Sequence, residues 1–253
     1  MKKKILIILG ILTVISFSIS FYYYQKNNTL IENETSENNE INDDFIKELY
    51  QKVNPSEDAA ILKENYENNT FTNTYILAAG AMNYIRKNYK VENENNLSDS
   101  TNIIIDANEL NKEIKEIFGE ISYQNEDFYV MNYEYSICGF IYQKDENKYI
   151  SLSGCGGSMN ESFVRKVVAT KVENNTITIT EKSIYIYNDW NDYTNKRYIY
   201  NDCQKTNLLD TIETDSHTTV DINIENYLEN AATYEYIFTK ENNNYIFKQF
   251  KKV

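Results

Sequence analysis

Two residues of this 253-residue chain have the chemistry of a thiol enzyme. Cys155 would supply the nucleophile and His217, the only histidine, the base, because thiol catalysis needs a thiolate held beside an imidazole or another positive group. His217 sits in Asp215-Ser216-His217-Thr218-Thr219, a polar setting in which a lone histidine is ordinarily just solvated. Cys155 also has a competing use. It lies in Ser153-Gly154-Cys155-Gly156-Gly157-Ser158, downstream of Cys138-Gly139, with Lys144-Asp145-Glu146-Asn147-Lys148 between them. A two-residue hairpin loop at Glu146-Asn147 would set Cys138 opposite Cys155 on paired strands. A disulfide there removes the nucleophile, closes a loop of about 17 residues and is worth about 3 kcal/mol in the chain-entropy model. Cys203 is then the odd thiol.

Four of the seven glycines fall at positions 139, 154, 156 and 157. Such clustering points to backbone that needs positive φ or close approach, whether for a tight strand end or for a ligand. No metal site is expected. Asp189-Trp190-Asn191-Asp192-Tyr193 begins like a calcium loop, but Thr194 stands where glycine is required and Tyr200 where the closing glutamate belongs. One histidine and three widely spaced cysteines make no zinc pattern, and phosphate-loop and dinucleotide fingerprints are absent, so no cofactor is expected either. Trp190 is the sole tryptophan and is flanked by Tyr187 and Tyr193. Aromatics gathered past a strand end are either contacts for a partner or a seal on the sheet edge.

The N-terminus sets the expected location. Lys2, Lys3 and Lys4 precede an uncharged, predominantly apolar run from Ile5 to Phe21, and a run of 17 residues is at the short limit of a bilayer span. Tyr22, Tyr23 and Tyr24 follow where an aromatic belt would meet the outer headgroups. Residues 1–24 therefore read as a single-pass signal anchor, touching lipid through residues 5–24, with its N-terminus cytoplasmic and the rest extracytoplasmic. Ser18 and Ser20 leave cleavage after Ser20 as the alternative. Residues 25–43 are polar and acidic, too poor in apolar area to fold, and form a stalk reaching on the order of 25 Å. The formal charge is −13, or −16 once the three leading lysines are set aside. That charge argues against nucleic acid and anionic lipid as partners.

Residues 44–253 then form one extracytoplasmic α+β domain. The spacing of Phe45, Leu49 and Val53 predicts a helix over 44–53, stopped by Asn54-Pro55. A second helix is predicted from Thr74 to Tyr89, and a third from an N-cap at Asp106, with Glu109 completing a capping box, to a stop at Gly119. After Gly119 the period changes to 2. Hairpins are predicted around Asn174-Asn175 and Asn242-Asn243-Asn244, with residues 190–222 as a polar, irregular excursion before a short helix near 224–230. Helices first and strands second imply helices packed on one face of a curved antiparallel sheet, an arrangement analogous to the NTF2 and cystatin folds.

The Lys-rich anchor, the acidic stalk, the helix ending Ile117-Phe118-Gly119, Cys138-Gly139 and Gly154-Cys155-Gly156-Gly157 together resemble a group of anchored extracytoplasmic proteins of low-GC Gram-positive bacteria. That resemblance implies a location and no activity. The expected function is non-enzymatic binding of a protein, peptide or cell-wall partner; the alternative is a thiol-dependent surface enzyme using Cys155 and His217.

Overall fold

The computed structural model describes residues 41–56, 63, 70–89, 102–132, 135–153, 161–190, 194–215 and 221–253. The chain divides between Lys47 and Glu48 into two units, of which the first has only residues 41–47 described. The expected anchor and nearly all of the expected stalk lie outside the described residues, as do Cys155, Tyr193 and His217. No described helix is long and apolar enough to cross a membrane.

Among the described residues, three α-helices of ten residues or more form where local signals place them. Helix α1 (Asp43–Lys52) ends before Asn54-Pro55, and Leu49 and Val53 are buried. Helix α2 (Asn73–Asn88) is capped by Thr72, whose hydroxyl accepts from the Tyr75 N–H at 3.3 Å. Helix α3 (Ala107–Phe118) is capped by Asp106 and closed by Gly119 at φ +69°. The cap differs in detail from the expected box: Asp106 accepts from the Asn108 N–H at 2.8 Å, and Glu109 pairs with Lys112. The α3 stripe of Leu110, Ile114, Ile117 and Phe118 is buried.

The strands build two antiparallel sheets rather than one curved sheet. The smaller contains β1 (Ile104–Asp106), β2 (Phe128–Asn132), β3 (Ile137–Gln143) and β4 (Lys148–Ser153), in the order β1-β4-β3-β2. The larger contains β5 (Glu161–Glu173), β6 (Thr176–Trp190), β7 (Thr194–Tyr200), β8 (Leu208–Asp215), β9 (Ala232–Glu241) and β10 (Asn244–Lys252). Strand β6 is its spine. It pairs with β5 along most of its length, with β9 from Thr176 to Ser183, and with β7 from Tyr185 to Trp190. Helix α3 packs on β10 and β1 and helix α2 on α3 and β2, so the helices touch both sheets instead of covering one face of a single sheet. Phe71, Phe118 and Phe247 join helices and larger sheet, with Phe71 5.3 Å from Phe118 and 5.0 Å from Phe247 between ring centroids.

Turn chemistry sets the hairpins. Asn174 has φ +51°, and Glu173 pairs with Thr176 across a two-residue loop. Asn242 and Asn243 both have positive φ, at +49° and +69°, and Glu241 pairs with Asn244, as a two-residue hairpin of right-handed twist requires.

Three local expectations fail. The β3–β4 loop is a 3₁₀ turn over Lys144–Glu146 plus Asn147 at φ +49°, which makes four residues where two were expected. The register moves accordingly: Ile141 pairs with Ile150, whereas the shorter loop would have given Leu152, and a bulge falls at Cys138 between the pairs Ile137–Ser153 and Gly139–Leu152. The derivation that set Cys138 directly opposite Cys155 therefore does not hold. The span 190–222 also is not irregular, since β7 and β8 lie within it. Ladder bonds to β6 hold β7, and β8 is an edge strand with much of its length exposed, which is why its hydropathy looked like a loop. The short helix expected near 224–230 is a 3₁₀ turn over Ile224–Asn226 followed by turns.

Gly80 lies where α2 meets α3, and a Cβ built on it would stand 2.5 Å from Ile114 Cγ1 and 3.0 Å from Leu110 Cδ1. Alanine normally favours an exposed helix interior by about 1 kcal/mol over glycine. Here overpacking reverses the sign, and Gly80→Ala should lower the unfolding free energy by about 1–3 kcal/mol in urea titration.

Candidate functional site

The inward face of β6 carries Ile177, Ile179, Glu181, Ser183 and Tyr185, all buried. A carboxylate in that row needs partners, since an unpaired buried charge costs several kcal/mol. Three distant segments supply them. The Lys63 ammonium forms an ion pair with Glu181 Oε1 at 2.6 Å, both side chains having zero exposure, although the contact is Coulombic rather than a well-directed hydrogen bond. Tyr50 and Tyr236 donate their hydroxyls to Glu181 Oε2, Tyr236 at 3.0 Å. Lys63 Nζ also lies 4.8 Å from the ring centroid of Tyr234 and 5.5 Å from that of Phe163, where the aromatic faces favour a cation. Beside it, Arg165 donates to Asn54 Oδ1 at 2.8 Å and to the Ser56 carbonyl at 3.3 Å.

Burial pushes the Lys63 ammonium below its ordinary pKa, with Glu181 pulling the other way. Burial, reinforced by the Glu181 charge, raises the Tyr50 and Tyr236 phenols. These hydroxyls therefore stay protonated as donors. Neither side chain of the Lys63–Glu181 pair reaches solvent, and the cluster ties Tyr50 and Lys63 to β6 and β9. Sequence reasoning passed over Glu181, though the signal was present: Ile177 and Ile179 face inward, and period 2 puts residue 181 on the same face.

The opposite face of β6 holds Ile184, Ile186 and Asn188. Ile184 packs with Ile199, Ile224 and Ala231, flanked by Val164, Ile212, Ile222 and Leu228. Toward the end of β6 this apolar row gives way to polar residues, and a cleft of about 360 Å³ opens. Its floor is Val164, Ile186 and Ile222, and its polar groups are Ser162, Asn188, Arg197 and Asp221. Register brings them together: Ser162 pairs with Ile186 and Asn188 with Arg197, while residues 221–222 return across the sheet. None of these positions stood out in the sequence, because the cleft joins three strands and a loop that only the pairing assembles.

Of the aromatic trio singled out by sequence, Trp190 pairs through its backbone with Asn195, two residues beyond Asn188. Tyr187 is on the other side of β6 from the cleft; its ring centroid lies 6.2 Å from that of Tyr198 and 4.2 Å from Lys205 Nζ. Cys138 is disulfide-bonded, and its partner falls outside the described residues. Cys203 directs its thiol to the Lys63 carbonyl at 3.8 Å. Among the described residues no group of three or more His, Cys, Asp or Glu side chains is placed to hold a metal ion.

Comparison with protein-family models, with curated proteins and with solved structures finds no match.

The buried pair should behave asymmetrically under mutation. Lys63→Met or Glu181→Leu alone leaves a buried charge unpaired and should cost about 3–5 kcal/mol in urea unfolding. The double variant removes both charges and should be more stable than the worse single variant; a loss equal to the sum of the two single losses would show that the two groups do not interact.

Proposed function

We propose that the chain is a membrane-anchored extracytoplasmic binding protein without catalysis of its own, and that the cleft between β5, β6 and β7 takes an extended peptide segment of a protein or cell-wall partner. The observation that carries this reading is the convergence of both charge signs, an amide and a hydroxyl on one apolar floor. Arg197 suits a carboxylate, and Asp221 an ammonium or N–H. Asn188 and Ser162 match the alternating donors and acceptors of a peptide backbone, with Val164, Ile186 and Ile222 left to take a side chain. A net charge of −13 removes nucleic acid from the candidate partners. By analogy at fold level, helices against antiparallel strands suit the NTF2 and cystatin comparison, which brings no activity with it.

The anchor reading rests on Lys2 to Lys4 and the uncharged run to Phe21, with everything beyond Tyr24 placed outside the cytoplasm. We read the disulfide of Cys138 as made with Cys155, which suits an oxidising exterior and takes the nucleophile away from a thiol mechanism with His217.

Trp190, the only tryptophan, stands two residues past Asn188 and gives a direct readout. Panning a library of random peptides over the full chain should enrich one sequence class, and a synthetic peptide of that class should change tryptophan emission on titration. Arg197→Ala combined with Asn188→Ala should weaken that binding at least about tenfold, the loss of 1.4 kcal/mol or more expected of one charge-assisted contact. No enrichment, or equal binding by the variant, would remove the cleft from the proposal.

A further inference from the structure

The cleft row on β7 does not stop at Arg197. Residues two apart on a strand share a face, so Ile199, Arg197 and Asn195 form one line, with about 7 Å from each to the next. Ile199 belongs to the packed core and Arg197 lines the cleft. Asn195 follows one residue pair farther on, where it pairs with Trp190 of β6 and Thr214 of β8. It has zero exposure, yet neither its side-chain Oδ1 nor its Nδ2 has a hydrogen-bond partner. No other buried side chain among the described residues leaves two polar atoms in that state. The Thr214 hydroxyl donates to the Asn195 main-chain carbonyl at 3.4 Å rather than to the amide.

Burying a donor and an acceptor without partners destabilises a fold, and a leucine of similar size would carry no such cost. An amide at the end of a row whose preceding member lines a cleft is explained by a partner that arrives from the cleft. That partner must present an acceptor and a donor together. A carboxylate offers only acceptors and an ammonium only donors. One residue of an extended main chain presents both, but main chain needs an open groove on either side of that residue, which zero exposure at Asn195 denies. A primary carboxamide carries both at the tip of a single side chain, and it meets another carboxamide as a planar pair joined by two hydrogen bonds.

We propose, resting on the reading of the cleft as a peptide site, that Asn195 selects a peptide bearing an asparagine or glutamine side chain, whose carboxamide pairs with the Asn195 amide beyond Arg197. The peptides enriched by panning over the full chain should share Asn or Gln at one position. In a synthetic peptide of that class, exchanging this residue for glutamate or for leucine should raise the dissociation constant at least about tenfold, the loss expected when a buried polar group is left unpaired, in a comparison that needs no variant of the protein. Asn195→Leu should unfold at no lower a urea midpoint than the wild type, because it removes two unpaired groups, and should bind the carboxamide peptide and its leucine counterpart equally. Enriched peptides that share no carboxamide, yet bind more weakly to the Arg197→Ala, Asn188→Ala double variant, overturn this proposal and leave the cleft in place. Absence of enrichment removes the cleft and the proposal together. An Asn195→Leu chain that unfolds at a clearly lower midpoint shows that the amide is held from within the protein, by ordered water for instance, and overturns the proposal as well.

Discussion

One fifteen-residue strand, β6, holds the larger sheet together, and every other feature of that sheet depends on its alternation. On one edge it is bonded to β5; on the other it passes from β9 to β7 between Ser183 and Tyr185. A strand shared in this way is buried on both faces where the two halves meet, and Ser183, Ile184, Tyr185 and Ile186 are all buried. A slip of one residue would turn Ile177 and Ile179 outward and bring threonines into the core, so the register is fixed by the side chains themselves.

The same alternation produces both clusters of polar residues. On one face it carries Glu181 into an apolar row, where the carboxylate is tolerated only because Tyr50, Lys63 and Tyr236 converge on it. That network joins residues far apart in sequence and holds Tyr50 and Lys63 against β6, with the Lys63 and Glu181 side chains out of solvent. On the other face the row runs from Ile184 through Ile186 to Asn188, and the change from apolar to polar marks where packed core ends and open cleft begins. The closed cluster and the open one are thus two outcomes of one pattern read on opposite faces. Only the second has the shape of a place where a partner could be held.

What could be read from the sequence was what is decided locally. Asp106 and Gly119 bound α3 through their own backbone geometry, and Asn174 in one hairpin and Asn242 with Asn243 in another make their turns through positive φ. The segregation of helices and strands gave the α+β class. What was missed depends on pairing. β7 and β8 are polar because they lie toward a solvated edge, and they are strands through the neighbour each finds. The β3–β4 loop takes four residues because Asn147 accepts a left-handed conformation after a 3₁₀ turn, a choice that Glu146-Asn147 alone does not specify. Glu181 could have been placed inward by counting from Ile179, but Lys63, more than a hundred residues earlier, could not have been named as its partner. The cleft was invisible for the same reason: Ser162, Asn188, Arg197 and Asp221 come from four separate segments.

Native-state hydrogen exchange on the amides of β6 tests most directly whether this strand makes the larger sheet one cooperative unit. The slowest amides should run continuously from Ile177 to Tyr187, and those bonded to β9 and those bonded to β7 should share a single opening free energy equal to that of global unfolding. If the protection divides near Ser183, with the β9–β10 half and the β7–β8 half opening at separate free energies, β6 is not a common spine and the two faces are independent constructions.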